Sequence, residues 1–281
     1  MKNPGVARAA AILIEGPAGQ SRIDEVVVEA PLEIRVAGDT FAVTMRTPGD
    51  DRFLAIGLIY GEGILTTIDD VTAVAHCGTP DDPRFGHTID VVPAAGGGFD
   101  VEKIDRGRRA LLTTSACGIC GRDQIDDLVR HVPPIDPSLR LARTHLAEAA
   151  ARLSNEQPAF ARTGGLHAAA AFDGAGAISA SAEDIGRHNA VDKVVGKLLY
   201  ARNLPQRTGG RNGALLVVSG RASFEIVQKA ARAGFAGVLS VSAASSLAIE
   251  TAQALGITMI GFARDGRFTI YSHAERVVID A

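Results

Sequence analysis

A chain of 281 residues, 46% of them hydrophobic, is long enough to bury one large α/β core or two smaller ones. The formal net charge of -3 excludes a surface that holds nucleic acid or anionic lipid by bulk electrostatics, so any anionic ligand has to be gripped locally. Tryptophan is absent and aromatic residues are 5%, which weakens stacking schemes for single strands; without an eighteen-residue apolar run or a secretory leader pattern, a cytoplasmic, membrane-free protein is expected.

Residues 1–20 are rich in Ala and Gly with no clear period and are expected to form a flexible N-terminal arm. From Leu32 the pattern sharpens. Leu32, Ile34 and Val36 alternate with Glu33 and Arg35, Gly38-Asp39 breaks the run, and Phe41, Val43 and Met45 alternate again, which predicts a hairpin. Pro48-Gly49-Asp50 then opens a helix carrying Phe53, Leu54, Ile56, Leu58 and Ile59 that stops near Gly63. Two short strands are predicted around 71–75 and 88–92. The Gly96-Gly97-Gly98 tether leads to a Cys pair and a short amphipathic helix with Ile125, Leu128 and Val129, after which Pro133-Pro134 and Pro137 break the chain. These features define a small α+β domain over 21–133, with a soft boundary between about Pro133 and Pro158.

The remainder, 134–281, alternates strands and helices. A hairpin is predicted around Asp173-Gly174, followed by a helix with Val191, Val194, Val195, Leu198 and Leu199 on one face. The apolar run at 214–218 suits a strand buried on both faces; strands at 238–241 and 257–262 and helices from Ser223 and Ser246 follow it. The expected fold class is α/β, a three-layer domain with helices on both sides of its sheet.

Three cysteines are too few for a disulfide scaffold, and two of them form Cys117-Gly118-Ile119-Cys120. Small neighbours, Arg122 close by and a helix start just beyond favour the thiolate, the form that attacks a disulfide or persulfide sulfur. Spacing alone leaves four readings open: sulfur relay, a zinc site, thioredoxin-like exchange and an inert surface pair. Cys77, alone at the end of an apolar strand, reads as a small buried hydrophobe.

Further motifs lie downstream: Thr163-Gly164-Gly165-Leu166-His167, then Glu183-Asp184-Ile185-Gly186-Arg187-His188-Asn189 running on to Asp192-Lys193, then Ser219-Gly220-Arg221-Ala222-Ser223, and the segment from Gly261 to Arg267. With Thr47-Pro48, Gly57, Glu62-Gly63 and the Cys loop, in this order, the chain resembles the formate dehydrogenase accessory sulfurtransferase family, FdhD, from about Pro31 to Arg276. Ala116 stands where many members carry Ser, a mild departure that leaves both sulfurs in place.

The resemblance implies that a cysteine desulfurase hands sulfane sulfur to the loop. The protein would then pass it to bis-molybdopterin guanine dinucleotide, carrying molybdenum or tungsten, for formate dehydrogenase. It also implies a homodimer, a cytidine-deaminase-like core in the second half, and no protein-ligated metal. Cys117 would be the catalytic persulfide bearer and Cys120 its partner. Phe262, Ala263, Arg264, Asp265, Gly266 and Arg267 would line the cofactor site. Zinc deamination itself is not expected, because Ala116 precedes Cys117 and the His-x-Glu at His273-Ala274-Glu275 follows the pair.

A guanine dinucleotide needs donors for phosphate oxygens and an acceptor for the guanine amino group. Arg264 and Arg267 flank a turn at the carboxyl end of a predicted strand, where open α/β sheets bind ligands, though a tight turn with solvated charges gives the same pattern. Arg221 ends another such strand, with Ser223 expected to cap the next helix. Glu183 and Asp184 are expected either to cap the helix that Arg187 and His188 start or to orient His188, which completes the expected cofactor-binding set; Asp192 and Lys193 are expected as surface pairs, and His167 as a structural histidine or a part of the same cleft. Two rival activities remain: a non-catalytic cofactor-binding chaperone for formate dehydrogenase, and a thiol-disulfide oxidoreductase.

Overall fold

Alternation of apolar and polar residues shapes most of the first half, and its absence hides the first element. The computed structural model, which describes residues 5–16, 18–79, 81–82, 85–96, 99, 120–208 and 213–278, opens with strands β1 (Val6–Glu15) and β2 (Ala18–Val27). They pair antiparallel from Val6 opposite Val27 to Glu15 opposite Ala18. Over its described residues from Val6 on, the flexible arm expected for 1–20 is therefore part of a hairpin, and residue 20 falls inside a strand. Alanines at 7, 9, 10 and 11 fit a pleated ribbon without supplying the change of polarity that marks one.

β3 (Ala30–Val36) turns Leu32, Ile34 and Val36 inward and lies between β4 (Asp39–Arg46) and β6 (Thr88–Pro93), with β5 (Val71–His76) outside β6. Helix α1 (Asp51–Gly61) covers this sheet with Leu54, Ile56 and Ile59, closing a small core with Phe41 and Val91. Helix α2 (Cys120–His131) follows and sends Leu128 into a second, larger core.

The stretch expected as a boundary is folded. β7 (Leu141–Ala142), α3 (Arg143–Asn155) and α4 (Pro158–Thr163) occupy it, and Leu146, Ala149 and Leu153 of α3 belong to the larger core. Next come β8 (His167–Phe172), β9 (Ile178–Asp184), α5 (Arg187–Tyr200), β10 (Leu215–Val218), α6 (Phe224–Ala233), β11 (Gly237–Ser240), α7 (Ser246–Leu255), β12 (Thr258–Arg264), β13 (Arg267–Ile270) and β14 (Val277–Val278). Among the described residues the main sheet runs β13-β12-β11-β10-β8-β9. Every residue of β10 and β11 is buried, as a strand covered on both faces requires. The chain is a mixed α/β molecule with several sheets, and no helix among its described residues is long and apolar enough to cross a membrane.

The small sheet is held to the large one through α1 and α5. These helices cross at Gly57 and Gly196, where a methyl at 57 would overlap the Asp192 carbonyl and one at 196 the Phe53 carbonyl. The surface pairs expected at Asp192 and Lys193 are instead interior. Lys229 Nζ lies 2.6 Å from Asp192 Oδ1, and Lys193 Nζ lies 2.7 Å from Asp184 Oδ2, all four side chains buried. Their partners sit on other elements, so residue spacing along α5 gave no sign of them.

Gly196→Ala is expected to destabilise the fold by about 3 kcal/mol, because the obstacle is backbone and cannot rotate away; the gain in helix propensity offsets only about 1 kcal/mol of it. The urea midpoint checks this. An unchanged midpoint would mean that α1 and α5 stand farther apart in solution.

Candidate functional site

Strand directions decide where functional side chains can meet. β10, β11 and β12 are parallel, β8 is antiparallel to β10, and β9 is antiparallel to β8. The last residues of β9, β10, β11 and β12 and the first of β8 therefore share one edge, and α5, α6 and α7 all start there. Positive helix ends and strand-terminal loops gathered on one side make an edge suited to anions.

Backbone bonds zip the loops of this edge together. Ala222 N–H donates to Ala243 O at 3.0 Å, Ser245 N–H to Ala222 O at 3.0 Å, and Phe262 N–H to Ser242 O at 2.9 Å. Below them, the buried Ser240 hydroxyl donates to Gly220 O at 2.7 Å and accepts from Ser242 N–H at 3.0 Å, while Ser219 Oγ accepts from Ala168 N–H at 2.9 Å. Gly220 allows this closeness: a Cβ there would lie 3.2 Å from His167 Nδ1 and 3.4 Å from Arg187 Cβ.

Three groups of expected site residues take their places along the edge. Arg221 is exposed beside Gly220. His188, in the first turn of α5, reaches Ser223 Oγ with Nε2 at 3.1 Å and lies 3.7 Å from Glu225 Oε2. Two strands beyond β10, Asp265 and Gly266 turn β12 into β13 with φ 52 and 72, leaving Arg264, Asp265 and Arg267 exposed while Ala263 is buried. Arg264 Nε is 3.6 Å from Asp265 Oδ2, and the Arg267 side chain has no hydrogen-bond or ion-pair partner among the described residues. Phe262 is 55% exposed at φ 52, a conformation that costs a bulky residue energy and persists where the surroundings impose it. Here a bulge between Gly261 and Arg264 imposes it.

The thiols are placed less fully. Cys117 lies outside the described residues, and Cys120 is the first residue of α2. Cys77 is free and half-buried at the end of β5, where a buried residue was expected.

Two capping expectations change. Ser223 holds the N-cap position of α6 but makes no side-chain capping bond, because its hydroxyl serves His188 and Glu225. Nor do Glu183 and Asp184 orient His188. Glu183 accepts from Ala159 and Phe160 N–H at the start of α4, and Asp184 accepts from Gly186 N–H, Asn189 Nδ2 and Thr47 N–H.

Electrostatics at the edge keep both histidines neutral. Burial, then the Arg187 charge, pulls the His188 pKa down to about 4, with Glu225 opposing. His167 is lowered by burial and by Arg187 and Arg221. Burial works against the Glu225 charge, but the Ser223 hydroxyl, its own backbone N–H, His188 and Arg187 outweigh it and hold the carboxyl below its ordinary range. Ser223 thus donates to Glu225, and the tautomer that completes the chain has His188 Nε2–H donating to Ser223. Arg187 and the serines at 219, 223, 240 and 242 were not picked out as a set from sequence; the signals available were Ser219-Gly220 just after β10 and the serine-rich stretch from Ser240 to Ser246 at the end of β11.

The family model for the FdhD/NarQ family matches residues 27–278. The sulfur carrier protein FdhD of Anaeromyxobacter dehalogenans (strain 2CP-1) is 50% identical over 255 residues, 90% of this chain and 88% of the relative. The sulfur carrier protein FdhD of Streptomyces coelicolor is 41% identical over 279 residues, 98% of this chain and 96% of the relative. A solved structure from Desulfotalea psychrophila, described as a formate dehydrogenase accessory protein, superposes with a TM-score of 0.73 at 20% identity, covering 98% of this chain and all of that one, which is a likeness of fold.

The depressed His188 pKa has a sign that can be checked. Between about pH 6.5 and 4 the unfolded chain takes up a proton that the folded ring refuses, so stability falls as pH drops through that window. His188→Gln should flatten that limb in urea unfolding, and the wild-type imidazole resonance should titrate near pH 4. A midpoint above 6 would show that the ring is not desolvated.

Proposed function

Since the chain belongs to the FdhD/NarQ family, we propose that it is a sulfur carrier that accepts sulfane sulfur on Cys117 and delivers it to a cofactor serving formate dehydrogenase. The observation that carries this reading is the Cys117-Gly118-Ile119-Cys120 pair leading straight into the N-terminus of α2, where the helix dipole favours thiolate over thiol.

In the proposed sequence, the Cys117 thiolate attacks the terminal sulfur of a cysteine desulfurase persulfide. The S–S bond of the donor breaks, its cysteine leaves as thiolate, and Cys117 becomes the persulfide. Cys120 thiolate then attacks Sγ of Cys117, expelling hydrosulfide and leaving a Cys117–Cys120 disulfide. A dithiol reductant returns both thiols, which closes the electron balance.

The acceptor in this reading is bis-molybdopterin guanine dinucleotide, carrying molybdenum or tungsten, bound as substrate at the carboxyl edge of the large sheet. The residues there suit it. Arg221, Arg264 and Arg267 offer guanidinium donors, neutral His188 offers a hydrogen bond without added charge, Asp265 offers an acceptor, and Phe262 an open ring face. Ala263 contributes backbone alone, and Gly266 permits the turn.

The C-terminal end of α2 is tied to α7, a helix that starts at that edge. Ile135 N–H, just past α2, donates to Leu255 O at the end of α7 at 3.0 Å, and the two helices pack together. A cytoplasmic homodimer with a cytidine-deaminase-like second half completes the proposal.

Mass spectrometry after incubation with desulfurase and cysteine tests it. The wild type should gain about 32 Da per sulfur, Cys117→Ala should gain nothing and fail to activate formate dehydrogenase, and Cys120→Ala should load but release slowly. Full activation by the Cys117→Ala protein would falsify the carrier mechanism in favour of a chaperone that binds cofactor without moving sulfur. Turnover of thioredoxin-type substrates without any guanine nucleotide affinity would instead identify an oxidoreductase.

A further inference from the structure

We propose that the β1–β2 ribbon of one chain docks its isoleucine face on the open face of the β3–β4 pair of a second copy, and that the reverse contact closes the two chains about a two-fold axis. The homodimer of the reading above is the premise, and the surface that builds it is what is added.

The ribbon differs from one face to the other. Residues paired across the two strands share a face, so Ala10 with Ile23, and then Ile12 and Ile14, all point to one side. Gly19 leaves bare backbone against them: a Cβ there would lie 3.0 Å from Ile12 Cγ2 and 3.1 Å from Ile14 Cδ1. The other side carries Glu15, Gln20, Arg22 and Asp24, with Arg22 paired to Asp24. Ile12, Ile14 and Ile23 are 67%, 66% and 67% exposed. A two-stranded ribbon has little stability of its own in water. This one is held at its root, where Arg162 Nε and Nη2 reach Glu25 at 2.8 and 2.5 Å and Val27 packs on Gly165, and farther out its isoleucines lack a covering layer.

A second uncovered layer lies on the small sheet. Helix α1 covers the face that bears Leu32 and Ile34; on the opposite face Pro31, Val43 and Met45 are exposed, with Pro31 across from Met45 and Val43 across from Glu33. Two Arg35 nitrogens at 3.0 Å and the hydroxyls of Thr40 and Thr88 surround the Glu33 carboxylate, so its charge is met within the sheet. Ribbon and sheet face are both exposed in one chain, so the ribbon does not cover its own sheet.

Area favours a second copy as the occupant. A face of two ten-residue strands measures about 33 by 10 Å, or about 300 Å². One such contact buries about 600 Å² in total, the scale of crystal packing, whereas two related by a two-fold bury about 1,200 Å², where specific dimers begin. A different protein seated on the ribbon would leave the sheet face open. A second copy covers both faces of both chains and closes with none left over.

Sedimentation equilibrium of the full chain tests this. Ile12→Ser/Ile23→Ser and Val43→Ser/Met45→Ser alter exposed side chains, so both should keep the wild-type circular dichroism and sulfur loading while dimer affinity falls about a hundredfold or more. A chain with photoreactive p-benzoylphenylalanine in place of Ile12, mixed with isotope-labelled wild type, should crosslink to labelled β4 peptides holding Val43 and Met45. Dimer affinity within twofold of wild type in both double variants overturns this interface and leaves the homodimer standing. A crosslink to the labelled chain's ribbon, or to formate dehydrogenase when that enzyme is added, overturns the choice of occupant. A monomeric wild type overturns interface and homodimer together, while the gain of sulfur mass still decides the carrier chemistry.

Discussion

A carboxylate with no exposed surface organises this molecule. Asp184, at the end of β9, accepts hydrogen bonds from Gly186 N–H, Asn189 Nδ2 and Thr47 N–H and is paired with Lys193, which also donates to the carbonyls of Thr47 and Glu183. Taking two charges out of water is tolerable only when the remaining lone pairs and protons are met, and here each contact joins a different segment. The β4–α1 connection, the end of β9 and the first turns of α5 are thereby locked to one another. That lock sets the angle at which Arg187 and His188 enter the carboxyl edge, so the candidate site is positioned by an interaction that no ligand touches.

The two edges of the large sheet differ in kind. Helices begin at the carboxyl edge, and the residues waiting there are arginines, serines and neutral histidines. At the amino edge α1, α2 and α6 finish around a cleft of about 290 Å³ lined by Tyr60, Leu65, His131, Pro133, Arg207 and Arg232. There the guanidinium of Arg207 donates to the carbonyls of Pro133, Ala231 and Arg232, and the Tyr60 hydroxyl donates to Arg232 O, so cationic donors are spent on helix ends. Opposite polarity at opposite edges follows from parallel strands joined by helices that return the other way.

What sequence reveals divides along the same lines. β3 and β4 show themselves by alternation, β10 by an unbroken apolar run, and the β12–β13 turn by Asp265-Gly266, because each signal is local. β1 and β2 do not, since alanine carries too little polarity contrast. Pro158 marked the far limit of the expected boundary although it opens α4, the helical position where proline is best tolerated. The residues of the candidate edge were visible one motif at a time. Their assembly was not, because His167 meets Gly220 and Arg187 only once β8 is inserted antiparallel between β9 and β10, an arrangement set by strand order and not by spacing along the chain. For the same reason Asp192 looked like a surface partner of its neighbour, while its true partner lies on α6.

The interior ammonium groups have a practical corollary. Only five lysines occur in the chain against far more arginines, and two of the five, Lys193 and Lys229, are sealed between helices. Acylating reagents aimed at primary amines cannot reach those two while α1, α5 and α6 stay packed. Slow modification at 193 and 229, followed over time, would therefore act as a clock for breathing of the interior, against Lys197 at the partly exposed end of α5 as the fast reference.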